Sequence, residues 1–507
     1  MMYAPSSRSK FMPERSKTMS GRLPRGVGLL GGGVIGGGWA ARFLLNGVDV
    51  RLYDPAPGAM DQVQKILANA RRAYRRLTQV TLPAEGTLKL VQSIEDAVVE
   101  VELVQESAPE RLELKRQLLT TASRVAARDV LICSSTSSLR PSLLQEGTDH
   151  PERVFVAHPF NPVYLLPLVE LCAGQNTPPE TLVRAAEIYR KIGMHPLVVR
   201  KEVDGFIANR LQEAVWREAL WLVHDDLATV QEVDDAVRYS FGLRRPIVGP
   251  FLTYRMASGG TGMRQVMERF GPYLKWPLSK LTDVPELTDA FLDKFAEQSD
   301  AQARTDNITE KERDDCLVAL LQGLRSQRHG AGETLARWEQ GLRDSAPAVV
   351  AGDSSPLRSA MLDMPSDWLD ANGHVTESRY LELCTFGTSN LLNRIGVDRD
   401  YRSKYGSYYT LETHLSHLRE IRVGDRVQVL TQILGVDDKR IHLFHVIALD
   451  GQAEPAATGE QVLVHVDAGT RRSGRMQGCV RERLMELAQL HAELPRPRRA
   501  GARIALR

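Results

Sequence analysis

The stretch GVGLLGGGVIGGGWAARFLLNGVDVRLYD, residues 26–54, decides the fold. It opens on a five-residue apolar run and turns at three glycines. It continues as VIGGGWAARFLLNG, with apolar residues at helical spacing, and closes on a second apolar run, VDVRLYD. Strand, glycine turn, helix and strand in that order begin a parallel dinucleotide-binding unit. Gly31, Gly33, Val34, Ile35 and Gly36 fall within a GxGxxG turn. The first glycine permits the tight bend, the second lets backbone approach a pyrophosphate, and the third lets helix and strand pack closely. The helix N-terminus then faces the phosphates. Asp54 ends the second strand 18 residues beyond Gly36 (54 − 36). A carboxylate there accepts hydrogen bonds from both ribose hydroxyls and repels a 2′-phosphate, so the expected cofactor is NAD rather than NADP. The bland alternative is a glycine hinge. A membrane span over residues 26–45 is disfavoured by the glycines and by Arg42.

Outward from this unit, residues 59–78 read as a long helix, and apolar runs at 101–105, 130–134, 154–157, 168–172 and 197–199 alternate with helical segments. That alternation predicts an α/β Rossmann-type doubly wound sheet over residues 23–200. From 201 to 325 apolar residues recur every three to four positions, as in FIANRLQEAVWREALWLVHDDLA, which predicts an all-helical domain; its expected part in substrate binding and dimerisation comes from the family resemblance given below. Residues 326–356 read as a helical segment and a linker ending in SAPAVVAGDSSP. From 357 to 470 the pattern becomes a strand, one helix over 376–395, and four alternating strands separated by GD, DD and DG turns, an α+β domain. Residues 1–22 read as a disordered basic extension and 471–507 as an Arg-rich tail.

The chain has 507 residues, with 65 Lys plus Arg against 63 Asp plus Glu, and suits about three globular domains at roughly 100–200 residues each. Residues 1–25 hold six Lys/Arg and one Glu (+5), and 471–507 hold ten Arg and three Glu (+7). Of the net +2, residues 26–470 therefore carry −10. Positive charge confined to the ends is not the basic face of a duplex binder, so neither nucleic acid nor membrane is an expected partner. Cys133, Cys172, Cys316, Cys384 and Cys479 are scattered without a CxxC, which suggests no disulfide framework and no metal. The first 25 residues lack the apolar core of a secretion signal, and a reducing cytoplasm is the expected location.

In RVFVAHPFNPVYLLPLVEL, residues 153–171, His158 ends one short strand and Glu170 lies in the next, with Pro159, Pro162 and Pro167 stiffening the connection. Residues at strand carboxyl ends of an open α/β sheet face the ligand crevice. Imidazole titrates close to neutrality, so it can take a hydroxyl proton while hydride leaves the same carbon. A carboxylate on its other nitrogen fixes the tautomer and stabilises the imidazolium. Spacing alone leaves a structural histidine open.

The GxGxxG turn with Asp54, QESAPERLELK (105–115), SSTSSL (134–139), HPFNP (158–162) followed by LVEL, and DGFIANRL (204–211) together resemble the 3-hydroxyacyl-CoA dehydrogenase superfamily over residues 23–325. The resemblance implies His158 as general base with Glu170 as its partner, Ser137 and Asn209 holding substrate oxygens beside the nicotinamide, and Glu106 and Arg111 contacting the cofactor. Read from the residues alone, Ser137 as a helix cap and Asn209 as the partner of a helix terminus stay open. Pro159 stands where the CoA-using members carry an aromatic residue. HPFNPVYLLPLVEL together with GPFLTYRMASGGTGMRQVMERFGP (249–272) resembles the L-carnitine dehydrogenase branch. That branch implies a 3-hydroxy acid with a trimethylammonium group as substrate and 3-dehydrocarnitine as product. Such a cation makes no hydrogen bonds, so aromatic faces are its natural receptors; Tyr164, Trp216, Trp221, Phe251 and Tyr254 are the candidates, with core packing as the alternative for each.

Trp368-Leu-Asp370-Ala-Asn-Gly373-His374-Val375, then SRYLEL and LETHLSHLREIRVGD (411–425), resemble the hotdog-fold acyl-CoA thioesterases over 357–468. The resemblance implies Asp370 as base or nucleophile and N–H groups around Gly373 and His374 polarising the thioester carbonyl. Thr376 and Glu377 stand where the family has two asparagines. Glu412 is the alternative carboxylate, and a helix cap is the alternative role for Asp370. Joined, the two resemblances imply one homodimeric chain that oxidises L-carnitine and hydrolyses betainyl-CoA to glycine betaine and CoA. A 3-hydroxyacyl-CoA or L-gulonate dehydrogenase with a catalytically silent hotdog dimerisation module stays open as the alternative. A crystallin-like structural role is disfavoured by His158 and Glu170.

Overall fold

The computed structural model describes residues 22–502 except 79, 81, 252, 254–285, 287, 292, 295–296, 299–308, 346–354, 360, 365–367, 369, 371–372, 398 and 423. The first sheet has eight strands: β1 (Gly26–Leu30), β2 (Asp49–Tyr53), β3 (Leu88–Val91), β4 (Leu103–Glu106), β5 (Leu131–Ser134), β6 (Val154–Pro159), β7 (Leu168–Ala173) and β8 (His195–Val199). Their order is β3-β2-β1-β4-β5-β6-β7-β8. Helices α1 (Val34–Leu44), α2 (Ala59–Leu77), α3 (Ile94–Val98), α4 (Leu112–Val125), α5 (Pro141–Gln145) and α6 (Pro179–Lys191) join them. The strand order reverses between β1 and β4, which opens the crevice where such sheets bind ligands. Apolar clusters line both faces, one built on Trp39, Phe43, Leu67 and Tyr74, the other on Leu30, Leu119, Ile132 and Val156.

Two features depart from the sequence reading. Strand β3, LKLV, is an edge strand that buries only its last residue, so its apolar signal is weak. Strand β7 runs antiparallel to β6, because eight residues between them are too few for a parallel crossover.

Beyond β8 come α7 (Ala208–His224), α8 (Val230–Arg238) and α9 (Phe241–Arg244), then α10 (Glu310–Ser326) and α11 (Ala331–Ser345). Helix α10, expected within the helical domain, and α11, expected in the helical segment before the linker, both pack on the first sheet. Val318 and Leu321 of α10 and Leu335 and Trp338 of α11 are buried in the core of the first sheet, and the Trp338 indole donates to Asn46 Oδ1 at 2.7 Å.

The second sheet contains β9 (Leu357–Arg358), β10 (Leu362–Asp363), β11 (Gly406–His417), β12 (Arg426–Val436), β13 (Arg440–Leu449) and β14 (Pro455–Asp467), with main path β10-β12-β13-β14-β11 and β9 on β12. Helix α12 (Glu377–Arg394) crosses this antiparallel sheet, followed by the short α13 (Arg399–Lys404). Within the expected tail, residues 471–502 are structured: α14 (Gly478–Ala492) buries Val480, Leu484, Leu487 and His491 against the second core, and the Gly501 N–H donates to Glu460 at 2.7 Å. That burial repeats with helical spacing, which the surrounding arginines obscure in the sequence. The extension at 1–21 lies outside the described residues. Among the described residues no helix is long and apolar enough to cross a membrane.

Candidate active site

The glycine turn is built for a close-approaching ligand. Gly31 has φ +105°, and a Cβ there would lie 2.7 Å from the Ser107 carbonyl oxygen; a Cβ on Gly36 would lie 1.9 Å from the Gly31 carbonyl oxygen. A Cβ on Gly33 would meet nothing within 4 Å, so the second glycine of the motif faces open space. Val34 and Ile35 begin α1, and Val34 is half exposed there. Asp54 accepts hydrogen bonds from Gly32 N–H at 2.6 Å and Ala56 N–H at 2.8 Å, so the acid at the end of β2 also holds the turn in shape. These features fit a dinucleotide: an open second glycine, a helix N-terminus, and a carboxylate at the end of the neighbouring strand β2.

The two further cofactor candidates behave differently. Glu106 is fully buried; its oxygens accept from Lys115 Nζ at 2.9 Å, Ala108 N–H at 2.6 Å and the Ser134 hydroxyl. A carboxylate so enclosed braces the carboxyl end of β4 from behind and cannot reach a cofactor with its side chain. Arg111 is exposed at the N-cap of α4.

The antiparallel pairing of β6 and β7 sets His158 directly opposite Glu170. Glu170 Oε2 lies 3.0 Å from His158 Nδ1, and Oε1 accepts the N–H groups of Ile207 (2.9 Å) and Ala208 (2.8 Å) at the start of α7. Burial pushes the Glu170 carboxyl up, but the bonds from His158, Ala208 and Ile207 outweigh it and hold the carboxyl below its usual range. Bonded to an anion, Nδ1 carries the proton, which leaves Nε2 as the basic lone pair. The imidazole is buried beside Phe160, 4.8 Å between ring centroids, and Phe206, 5.8 Å.

Ser137 and Asn209 come together although 72 residues separate them: Asn209 Nδ2 donates to the Ser137 carbonyl oxygen at 3.3 Å. Gly205 (φ +73°) and Phe206 (φ +50°) turn the chain to make this contact, and the Gly205 N–H donates to the Ser138 carbonyl oxygen at 3.2 Å. A left-handed phenylalanine is strained, and such strain concentrates at functional sites. Sequence reasoning missed Glu110. Its carboxylate gathers the Ser137 loop, accepting from the Ser138 hydroxyl (2.9 Å), the Ser137 and Ser138 N–H groups (3.2 and 3.3 Å) and the Thr136 hydroxyl. Burial pushes this carboxyl up, yet Thr136, Lys115 and Ser138 together hold it below its ordinary value. The only signal was its place beside Arg111 in PERLELK.

The proposed aromatic receptors do not converge. Tyr164 is buried and its hydroxyl donates to Asp314 Oδ2 at 2.6 Å, which makes it a tether between the 160–167 segment and α10. Trp216 is half exposed on α7, Trp221 packs edge-on against His224, and Phe251 is 80% exposed. Tyr254 lies outside the described residues. The rings that do flank the histidine, Phe160 and Phe206, were not singled out, although one sits inside HPFNP and the other inside DGFIANRL.

In the second half, Asp370 stands seven residues before α12. Its Oδ1 accepts the His374 N–H at 3.1 Å, its carbonyl accepts the Gly373 N–H at 3.1 Å, and its own N–H donates to the His374 carbonyl at 2.8 Å. The N–H groups expected to polarise a thioester carbonyl are therefore already bonded to Asp370 itself. The His374 ring turns instead to Glu420, 3.0 Å away. Thr376 is the N-cap of α12 and makes no side-chain cap bond, so the helix start remains a donor surface. Glu412 is exposed on β11, beside a register shift at 410–412.

Family models match in three places: 3-hydroxyacyl-CoA dehydrogenase, NAD binding domain, over residues 26–203; 3-hydroxyacyl-CoA dehydrogenase, C-terminal domain, over 205–297; and the Thioesterase-like superfamily over 364–486. A Rhizobium meliloti (strain 1021) protein named L-carnitine dehydrogenase/betainyl-CoA thioesterase is 46% identical over 483 residues, 94% of this chain and 97% of its own. A Pseudomonas aeruginosa protein named L-carnitine dehydrogenase is 50% identical over 305 residues, 59% of this chain and 95% of its own. Among solved structures, an NAD+-dependent 5-formyl-3-hydroxy-2-methylpyridine 4-carboxylic acid 5-dehydrogenase covers 59% of this chain and 98% of its own, at 28% identity and a TM-score of 0.50.

Proposed function

This chain belongs to the family of L-carnitine dehydrogenase/betainyl-CoA thioesterases, and from that membership we infer two activities. The first half oxidises L-carnitine to 3-dehydrocarnitine with NAD. The second hydrolyses betainyl-CoA to glycine betaine and CoA. The observation that carries this reading is the joint one: near-full-length identity to bifunctional relatives, with the His158–Glu170 pair in one half and the Asp370–His374 turn in the other.

For the oxidation, Gly31, Gly33 and the start of α1 would hold the pyrophosphate and Asp54 the ribose. NAD, when bound, supplies the acceptor for the hydride. His158 Nε2 takes the substrate hydroxyl proton, and Glu170 keeps the other proton on Nδ1 and stabilises the resulting imidazolium. Asn209 and Ser137 orient the substrate oxygens, and Glu110 holds the Ser137 loop. Phe160, half-buried beside the base, offers a face to the trimethylammonium group and shields the site from water. For the hydrolysis, Asp370 activates water at the thioester carbonyl; the C–S bond breaks, the acid leaves with the added oxygen, and the thiol takes a proton. The uncapped start of α12 would carry the developing oxyanion. The same proposal places the protein in the cytoplasm as a homodimer; β11, an edge strand that leaves Leu411 exposed and Tyr409 half exposed, supports the pairing.

The test offers L-carnitine, 3-hydroxybutyryl-CoA and L-gulonate in parallel to purified protein and follows NADH, then follows thiol release from betainyl-CoA. NADH formation from either of the other substrates in preference to carnitine, or no thiol release, removes the corresponding half of the reading.

A further inference from the structure

We propose that Arg42 is a positioning residue for the oxidation, clamping the segment between His158 and Glu170 to the helix that receives the cofactor. Arg42 lies in the last turn of α1 and is 4% exposed. Nε donates to the Val163 carbonyl oxygen at 2.7 Å, Nη2 to Leu166 at 3.3 Å, and Nη1 to Ile192 at 2.9 Å and Gly193 at 3.4 Å. Among the described residues no carboxylate pairs with it. A buried guanidinium met only by carbonyl dipoles is costly, and burial pulls its pKa below the usual arginine value against the opposing effect of Tyr74. An apolar residue would fill the same place on α1 without that cost, so packing alone does not account for an arginine here.

What the guanidinium does is bridge. Residues 160–167 join β6 to β7 and thus connect the two members of the dyad, and outside any strand their carbonyls need partners. Val163 and Leu166 find theirs in Arg42. One turn earlier on α1, a Cβ on Gly38 would lie 2.9 Å from Val163 Cβ, so the helix backbone itself rests on this segment. Tyr164 tethers the same segment to α10 through Asp314. The N-terminus of α1 is the glycine turn, so one rigid helix ties the cofactor site to the loop that sets the base. A planar fork spanning four carbonyls does this; a lysine ammonium, a single point donor, cannot span them.

This inference rests on the carnitine-oxidation reading, and the experiment separates the two. Full-length Arg42→Met and Arg42→Lys are assayed for carnitine kcat and KM, for NADH affinity by fluorescence, for betainyl-CoA hydrolysis, and for response to sub-denaturing guanidinium chloride. A displacement of the base by about 1 Å costs on the order of 10²-fold. Arg42→Met should lose about that much kcat, with NADH affinity changed no more than a few-fold, thioester hydrolysis unchanged, and part of the kcat restored by guanidinium; Arg42→Lys should be intermediate. If Arg42→Met does not fold, the Lys variant with its tenfold or greater kcat loss at unchanged NADH affinity carries the test. Wild-type kcat in the folded variants overturns the proposal. So does a kcat loss matched by lost NADH affinity, or a joint loss of both activities without rescue. Wild-type protein that fails to oxidise carnitine would instead overturn the functional reading.

Discussion

Replacing Glu170 by Gln tests the dyad at its most exacting point. The glutamine oxygen can still accept the N–H groups of Ile207 and Ala208, so the start of α7 keeps its partners. Its amide nitrogen must then face His158 Nδ1. Two donors cannot share that contact, so the imidazole moves its proton to Nε2, the atom that has to accept the substrate proton. The imidazolium formed in the reaction also loses its counter-charge. Unit charges 3.0 Å apart attract by about 5.5 kcal/mol at an effective dielectric of about 20. At about 1.4 kcal/mol per decade that sets a ceiling near 10⁴. Spreading of the imidazolium charge brings the expectation down to about 10² to 10⁴ in kcat, the range of general-base and tautomer losses elsewhere. NADH formation from saturating L-carnitine would be followed across the neutral to alkaline range, with betainyl-CoA hydrolysis on the same preparation as the control for folding. The loss should persist at alkaline pH, because raising the pH does not return the proton to Nδ1. A kcat within five-fold of wild type at any pH in that range would refute the reasoning.

Three further outcomes are expected. NADP should be used much less well than NAD, and Asp54→Ala should narrow the ratio of the two kcat/KM values even as the loosened glycine turn lowers both; comparable ratios in wild type and variant would remove Asp54 from cofactor choice. Asp370→Asn keeps an acceptor for the His374 N–H, so thiol release from betainyl-CoA should fall by at least about 10² while carnitine oxidation stays within a few-fold; unchanged release would move the role to Glu412. His445, buried between Thr431 (3.0 Å) and Gln461 (3.1 Å), is pulled down by burial to about 4 from its ordinary 6.5, so the unfolded chain binds the proton more tightly. Its contribution is complete above about pH 6.5 and is lost as pH falls to about 4, on the order of 3 kcal/mol. Thermal melts at pH 7 and pH 5 should therefore separate more for wild type than for His445→Gln, and equal separations would contradict this.

What the sequence made legible was local in origin. The glycine turn, α1 and Asp54 lie within 29 residues, and each step there is dictated by backbone sterics or by period, so the strand–turn–helix–strand unit could be read residue by residue. His158 and Glu170 are 12 residues apart on adjacent strands, and their chemistry was readable, but their face-to-face register depends on a connection too short for a parallel crossover. Ser137 and Asn209 are a different case. Nothing in their spacing joins them; only the family resemblance did, and the join is made by a strained turn at Gly205 and Phe206. The failures share one cause. Glu106, Tyr164 and the helix hidden among the C-terminal arginines all owe their roles to which partner covers them, Lys115, Asp314 and the second core respectively. A side chain's type tells what it can bond to, whereas its burial decides whether that bond faces a ligand or the interior. Arg42 is the clearest instance: in the sequence it argued only against a membrane span, and in the fold it is a buried cation between α1 and the segment that joins the strands of His158 and Glu170.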